Sequence, residues 1–417
     1  MNASGAVLNV LHTSDWHLGC TLYRRSRHRH FELFLDWLLE VIRRENVHVL
    51  LVAGDIFDGI APGIRTQELY YGFLGRVMET ACRHVVIVAG NHDSPSFLEA
   101  PKSLLYALRV HVVGVAGEDE VLLLKDEAGQ PELIVCAVPF LRDRDVRSAA
   151  PGESPEEKER QLVEGVCAHY ARAAERAAAL REACGGAVPV IATGHLFAAG
   201  GRVEQGDGVR DLYVGSLARI PAEAFPQSLQ YVALGHLHSP QLVAGLETRR
   251  YSGSPLPVGF GEARQEKSVA LARFAGGRLC GIETLAVPCF QRLVRLTGTA
   301  AELERGLEAC IASGEPAWVE AVCDDAVTSA LRDRLQGMVE GTAAELLCLR
   351  SSAFRSRMLA DADEGERLEE LTADDVFERC LEASSVPDEE RPALRRTFAE
   401  ALHAMNAASE EVRPCAS

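Results

Sequence analysis

Five separate stretches of the chain run from an apolar segment straight into His, Asp or Asn: Asp15-Trp16-His17, Gly54-Asp55, Gly90-Asn91-His92-Asp93, Gly194-His195 and Gly235-His236-Leu237-His238. A lone Asp-x-His or Gly-His reads as a turn. Five in order, each closing an apolar run, describe a site assembled from several strand ends. The donors gathered are carboxylate, amide and imidazole, with no thiolate. That set favours manganese, iron or magnesium over a thiolate-rich zinc site, with manganese first. Two divalent ions about 3.5–4 Å apart need roughly seven protein ligands, more than one loop can supply. Such a pair would activate water for in-line attack on phosphorus.

The residue types suggest who would hold what. Asp55 lies between two one-metal groups, and its two oxygens let one carboxylate bridge both ions. Asp15, His17 and His238 would then hold one ion. Asn91, His195 and His236 would hold the other, where a neutral amide oxygen leaves the ion more electrophilic. His92, beside a ligand, is the group expected to stabilise developing charge or protonate the leaving oxygen. Asp58 and Asp93 read equally as carboxylates orienting neighbouring imidazoles or as helix caps. His12 reads as structural and Trp16 as packing on the site wall, while His48, His84 and His111 carry no assignment.

The segments that position these residues read as short buried strands, at residues 7–11, 47–53, 85–89, 188–193 and 231–234. They are rich in Val, Ile, Leu and Ala and bounded by Gly. Helical patterns fall between them, at 31–44 with Phe31, Phe34, Leu35, Leu38 and Ile42 on one face, and at 69–81 and 98–108. Strands covered by helices, with chemistry at their carboxyl ends, predict an α/β layered core. Segments 249–252 and 269–274 lie near other strands and could join as hairpins, which allows mixed strand direction.

The motifs resemble those of the calcineurin-like metallophosphoesterases, and the runs at 12–19 (HTSDWHLG), 54–58 (GDIFD) and 90–94 (GNHDS) are similar to the SbcD family. The likeness continues through 192–196 (ATGHL), 209–215 (VRDLYVG), 231–238 (YVALGHLH) and 251–255 (YSGSP). The resemblance implies a layered metallophosphoesterase β-sandwich flanked by helices, with a small α+β capping domain and a C-terminal helical pair. It implies a manganese-dependent nuclease with 3′→5′ exonuclease activity on duplex DNA and endonuclease activity on single strands and hairpins. It also implies work in DNA repair and recombination with an SbcC-type ATPase bearing a coiled coil, as a homodimer within a heterotetramer. The alternative is a metallophosphatase or phosphodiesterase for a smaller phosphoester, since surrounding loops set the substrate of such a metal core. A scaffold that only regulates an ATPase would be expected to lack a ligand, and every ligand position is filled.

The chain supports the partner independently. It contains no Gly-x-x-x-x-Gly-Lys-Ser/Thr loop, and its Lys-Ser pairs, Lys102-Ser103 and Lys267-Ser268, lack the preceding Gly that a phosphate cradle needs. Any ATP-driven step belongs to another polypeptide. A chain of 417 residues with 47% hydrophobic content can bury a large core and is expected to divide into two or three domains. No run approaches the ~20 apolar residues of a membrane span and no cationic leader is evident, so a soluble cytoplasmic protein without membrane contact is expected. Twelve scattered Cys with no Cys-x-x-Cys read as small buried hydrophobes in a reducing compartment.

A net charge of −17 is unusual for a DNA-binding surface. Part of it is local, because residues 351–417 hold 16 Asp and Glu against 8 Arg. Arg24, Arg25 and Arg27, just after the first motif, are candidates for the DNA backbone, or for a solvated loop. Weak DNA affinity is expected of this chain alone.

The expected domains are a phosphoesterase core at 1–287, a capping domain at 288–352, a linker at 353–370, partner-binding helices at 371–406 and a flexible tail at 407–417. Within the core, a charged stretch at 142–159 and an Ala-rich helix to about residue 184 read as an insert packing on the surface. The capping segment reads strand 292–296, helix 300–311, strand 318–322, helix 327–338, strand 346–349. Val376, Phe377 and Leu381 form one apolar face in the tail helices, and Leu394, Phe398 and Leu402 another. Two small helices cannot bury both faces alone, so they fold back on the core or dock on a partner coiled coil.

Overall fold

The computed structural model describes residues 7–148, 152–201, 219–325, 327–352, 377–378, 381 and 391–400. The chain forms two compact units, Met1–Val294 and Arg295–Ser417. The first is built on two six-stranded sheets. One runs Arg278–Ala286, Ser268–Ala275, Leu8–Thr13, Val49–Ala53, His84–Val88, Val110–Val113. The other runs Gln241–Val243, Leu246–Tyr251, Tyr231–Gly235, Val190–His195, Pro131–Cys136, Val121–Lys125.

Side-chain alternation along each strand explains why the sequence shows continuous apolar runs. Val10, Val49, Leu51, Val86 and Val88 face Val135, Ile191, Tyr231 and Ala233 in the core between the sheets. Their neighbours Leu11, Leu50, Val52, Val85 and Ile87 pack outward on Phe31, Phe34, Leu35, Phe73 and Leu74 of the helices His28–Arg44 and Ile64–Val77. A strand buried on both faces needs apolar residues at every position. On the far side, Val190, Ala192, Val232 and Leu234 pack under Val166, Tyr170, Ala173 and Ala177 of the helix Pro155–Ala183. The result is helix, sheet, sheet, helix. That long helix packs on the core as expected and forms the outer layer over the second sheet. Ser154 starts it, with its hydroxyl accepting from the Glu157 amide and Glu157 accepting from the Ser154 amide.

The central strands of each sheet are parallel, so their carboxyl ends share one rim. Antiparallel hairpins close the edges, Ser268–Ala275 with Arg278–Ala286 and Gln241–Val243 with Leu246–Tyr251, which gives the mixed direction the late segments allowed. The expected helix at 98–108 is instead two short ones, Pro95–Glu99 and Lys102–Ala107. Pro101 between them has no amide hydrogen for an intrahelical bond and disfavours helix at the residue before it.

In the second unit, strands Arg292–Gly298, Ala317–Cys323 and Ala344–Ser351 form a three-stranded sheet, the last two parallel, with helices Ala300–Ala312 and Ser329–Val339. Buried Glu320 joins Arg295 at 2.5 Å and Arg350 at 3.1 Å across it. Farther on, the Phe377 and Phe398 rings stack at 4.0 Å and Arg395 pairs with Glu378, so these two phenylalanines face each other. Leu381 is buried and Leu394 exposed. Val376, Leu402 and the run 209–215 lie outside the described residues.

Candidate metal centre

Each motif lies at or just after the carboxyl end of a parallel strand. Asp15 and His17 follow Leu8–Thr13, Asp55 follows Val49–Ala53, and Asn91 and His92 follow His84–Val88. His195 closes Val190–His195, and His236 and His238 follow Tyr231–Gly235. The first two loops are joined by main-chain bonds, Asp15 to Gly54 at 2.9 Å and His17 to Asp55 at 3.0 Å. Four of the candidate ligands carry positive φ, Asp15 at 52°, His17 at 47°, Asp55 at 51° and His236 at 105°. Non-glycine residues hold that conformation only where the surroundings enforce it. Two glycines permit the approach. A Cβ on Gly54, whose φ is +88°, would strike the His195 ring, and one on Gly90 would strike the Asp55 carboxylate.

The side chains converge. His17 Nε2 lies 3.1 Å from His238 Nε2 and 3.7 Å from Asp55 Oδ2. His195 Nε2 lies 3.3 Å from the same Asp55 oxygen and 2.9 Å from Asn91 Oδ1. Asp55 Oδ1 accepts the His92 amide at 2.9 Å, leaving Oδ2 between the two histidines. Asp15 Oδ1 accepts the His236 amide at 2.9 Å, and Oδ2 accepts the Ser14 hydroxyl. Donor atoms of Asp15, His17 and His238 lie within 4.8 Å of one another, as do those of Asp15, Asp55 and His195, and of His17, Asp55 and His92.

The tautomers show that these atoms suit a cation. His195 Nδ1 donates to the Ala53 carbonyl at 3.0 Å, and His238 Nδ1 donates to the Glu262 carboxylate at 2.9 Å. In the neutral rings both Nε2 atoms are therefore left as the basic atoms turned toward the other donors, available to a divalent ion. Burial opposes charge on His195, but Asp55 and Asp15 outweigh it and raise the imidazole to about 9, so the two carboxylates gather enough negative charge here to favour a cation, either the proton on this ring or a metal that displaces it. Asp55, which burial would push up, is held well below the usual carboxylate range by His195, His17 and His92. His236 is lowered well below its ordinary value by burial and by His195.

Other expected residues fall differently. His92 is buried, with Nδ1 3.2 Å from the Asp58 carbonyl and its ring 4.8 Å from that of His17. Asp58 Oδ1 stands 3.6 Å from His17 Nδ1, within ion-pair range but beyond a hydrogen bond. Asp93 takes neither expected role. Its carboxylate accepts the amides of Ile56, Phe57 and Gly90, clasping the two loops through their main chain, and burial followed by Asp55 raises it to about 6. His236 is less closely engaged, with its ring 5.5 Å from that of His195. Arg27 is no surface contact. It is 1% exposed, with its guanidinium on the Pro257 carbonyl at 2.6 Å and over the Phe31 ring. Arg24 and Arg25 are exposed on a tight hairpin where Tyr23 and Arg24 both have positive φ.

His12 is structural as expected, sharing a hydrogen bond of 2.9 Å with the Tyr231 hydroxyl that ties the sheets together beneath the site. Sequence reasoning missed several other residues. Ser14 bonds Ser252 at 2.8 Å. Glu262 and Lys267, fully buried beside His238, are lone charges without motif spacing, and only three-dimensional packing reveals them. Burial pushes the Glu262 carboxyl up, but Lys267 and His238 more than offset this and bring it down to about 2.

A double sheet with carboxylate, amide and imidazole donors converging at its parallel strand ends defines a divalent-metal phosphoesterase. The calcineurin-like phosphoesterase family matches residues 8–240, and the family described as type 5 capsule protein repressor C-terminal domain matches residues 289–385. The SbcD component of the nuclease SbcCD from Escherichia coli K12 is 34% identical over 95% of this chain and 98% of its own length. Its counterparts from Rhodobacter capsulatus and Bacillus subtilis are 39% and 32% identical, over 65% and 63% of this chain and 67% and 66% of their own. The chain belongs to the SbcD family of the calcineurin-like phosphoesterases, and it is a metal-dependent phosphodiesterase.

Proposed function

We propose that the chain is the nuclease component of an SbcCD-type complex, cleaving DNA phosphodiesters with two manganese ions. The observation carrying this reading is the convergence of Asp15, His17, Asp55, Asn91, His195 and His238, supported by the full-length similarity to the SbcD component of the nuclease SbcCD. Asp15, His17 and His238 would hold one ion and Asn91, His195 and His236 the other, with the Asp55 carboxylate serving both. The ions would supply Lewis-acid polarisation of the phosphoryl group and an activated water.

The chain's own residues do the rest. With Nδ1 donating to the Asp58 carbonyl, His92 keeps Nε2 to hold or release a proton at the leaving oxygen. Asp93 fixes the loop carrying Asn91 and His92 against the loop carrying Asp55, so that three groups keep one geometry. Exposed Arg24 and Arg25 would meet DNA phosphates. Leu394, exposed on the helical stretch 391–400 that also carries Phe398, would dock the C-terminal segment on the coiled coil of an SbcC-type ATPase, whereas Leu381 is buried. The complex would hold two copies of this chain. No helix among the described residues is long and apolar enough to cross a membrane.

The test uses end-labelled duplex and hairpin DNA with the purified chain, alone and with its ATPase, in manganese or chelator. Manganese-dependent shortening from 3′ ends and opening of hairpins is expected. Intact DNA in both cases, alongside cleavage of a small chromogenic phosphodiester, would leave the phosphodiesterase and remove the nuclease.

A further inference from the structure

One buried ion pair grips His238 at both its ring and its main chain. Glu262 Oε1 accepts from His238 Nδ1 at 2.9 Å. Its other oxygen accepts from Lys267 Nζ at 2.5 Å, from the Ser254 hydroxyl at 3.1 Å and from the Val258 amide at 3.0 Å. Lys267 Nζ also donates to the His238 carbonyl at 3.0 Å, which the Ser254 amide reaches at the same distance. Glu262 is 0% and Lys267 5% exposed.

A buried Glu–Lys pair is costly to desolvate, and an apolar pair of similar volume would serve stability as well. Retaining it here has a chemical consequence. A carboxylate can only accept, so it fixes the proton on Nδ1 and leaves Nε2 as the basic atom, 3.1 Å from His17 Nε2. Carboxylate partners of this kind raise the basicity of a ligating imidazole and hold its plane.

We propose that Glu262, itself held by Lys267, is a positioning residue that sets the metal affinity of the His17–His238 position while leaving the Asn91–His195 position unaffected. This rests on reading His238 as a ligand. The selectivity follows from contact, because Glu262 touches His238, whereas the His195 ring is oriented by the main-chain carbonyl of Ala53.

The experiment titrates the full chain with Mn2+ alone, following free ion by electron paramagnetic resonance. It compares wild type, Glu262→Gln and the charge-neutral double variant Glu262→Gln with Lys267→Met. In the double variant no buried charge is left unpaired. Its thermal midpoint is expected to stay near that of wild type, while one of two Mn2+ equivalents weakens about 10–100-fold. Two equivalents bound as tightly as in wild type would overturn the proposal. If the variants fail to fold, long-range 1H–15N spectra of the metal-free wild-type chain decide. A proton on His238 Nδ1 is expected, and a proton on Nε2 would overturn the assignment. Wild type that takes up no Mn2+ would sink the reading of the site itself, a result distinct from failure of the Glu262 role.

Discussion

The first unit contains two histidine pairs whose ring nitrogens approach to 3.1 Å, His17 with His238 and His84 with His111. They sit at opposite ends of the parallel strands, and only one is built for a cation. His84 Nε2 donates to the Lys125 carbonyl at 2.8 Å, so its Nδ1 accepts a hydrogen bond from His111 Nε2 and the pair is satisfied as two neutral rings. The nearby carboxylate, Glu132, is 3.7 Å from His84 but is engaged on both oxygens by Arg83. At the other end the outer nitrogen of His238 is protonated by contact with Glu262, so its inner nitrogen offers a lone pair, and Asp15 and Asp55 lie beside the pair with no Arg or Lys ion pair among the described residues. Proximity of imidazoles is thus uninformative. What distinguishes a metal position is where the outer nitrogens send their protons and whether neighbouring carboxylates are already paired.

The comparison breaks most sharply at Asp55. Its replacement by Asn removes the shared charge, so Asp55→Asn should lose Mn2+ at both positions and reduce phosphodiester cleavage by at least about 10³-fold, several kcal/mol of barrier. His111→Gln at the opposite pair should leave both unchanged. Cleavage rates and Mn2+ titrations of the two variants side by side decide it, and a comparable loss in His111→Gln would end the distinction. Next in size is His92→Ala, expected to slow cleavage by about 10²–10⁴-fold while both Mn2+ equivalents remain bound. Loss of metal together with rate would make His92 a ligand rather than a proton carrier, which its place beside His17 and Asp55 leaves open to test.

These outcomes bear on what a single sequence discloses. The strand-end motifs were legible because parallel strands buried on both faces read as unbroken apolar runs, and a polar residue directly after such a run has to lie at the rim. The order of strands in the sheets was not legible, since pairing across the sandwich depends on faces that alternate one residue at a time. The same limit explains Arg27, whose position in a basic cluster suggested solvent while its side chain turns inward to the Pro257 carbonyl. Asp93 adjoins a candidate ligand and so read as an imidazole partner or a helix cap, yet its acceptors are met by three amides from two loops. Glu262 and Lys267 could not be found at all, because they act on His238 from a segment whose local pattern says nothing about where it folds.

The satisfied pair makes a pH prediction with a definite sign. Burial, and then His84, hold His111 down to about 4, against an ordinary value near 6.5 in the unfolded chain. Above pH 6.5 both states are neutral and the native state loses nothing. Between 6.5 and 4 the unfolded chain takes a proton that the native ring refuses, so stability falls as pH falls, and below 4 this group adds no further loss. With partial exposure of His111 discounted, the total is on the order of 2 kcal/mol. Urea unfolding at pH 7.5 and 4.5 should show a smaller decrease for His111→Gln than for wild type, and equal decreases would mean that the ring titrates freely.

The smallest effect carries the comparison over to the main chain, where one conformation again serves two purposes. Asp15, His17 and Asp55 hold positive φ at the candidate site, and so does Ala244, at 50°, in the hairpin turn with Gly245 at 74°. Two successive positive φ values define a turn that favours Asn-Gly, because an Asn side chain tolerates the left-handed region and an Ala gains nothing there. Ala244→Asn should therefore stabilise the unit by about 0.5–1 kcal/mol, a rise of roughly 1–2 °C in thermal midpoint, with cleavage unchanged. Relief of this kind is open to the turn and closed to the site, where the residue that bears the strain is also the one that would bind metal. If Ala244→Asn brings no gain, positive φ costs little in this fold, and the loops holding Asp15, His17 and Asp55 would owe their shape to hydrogen bonding alone rather than to strain the sandwich supports.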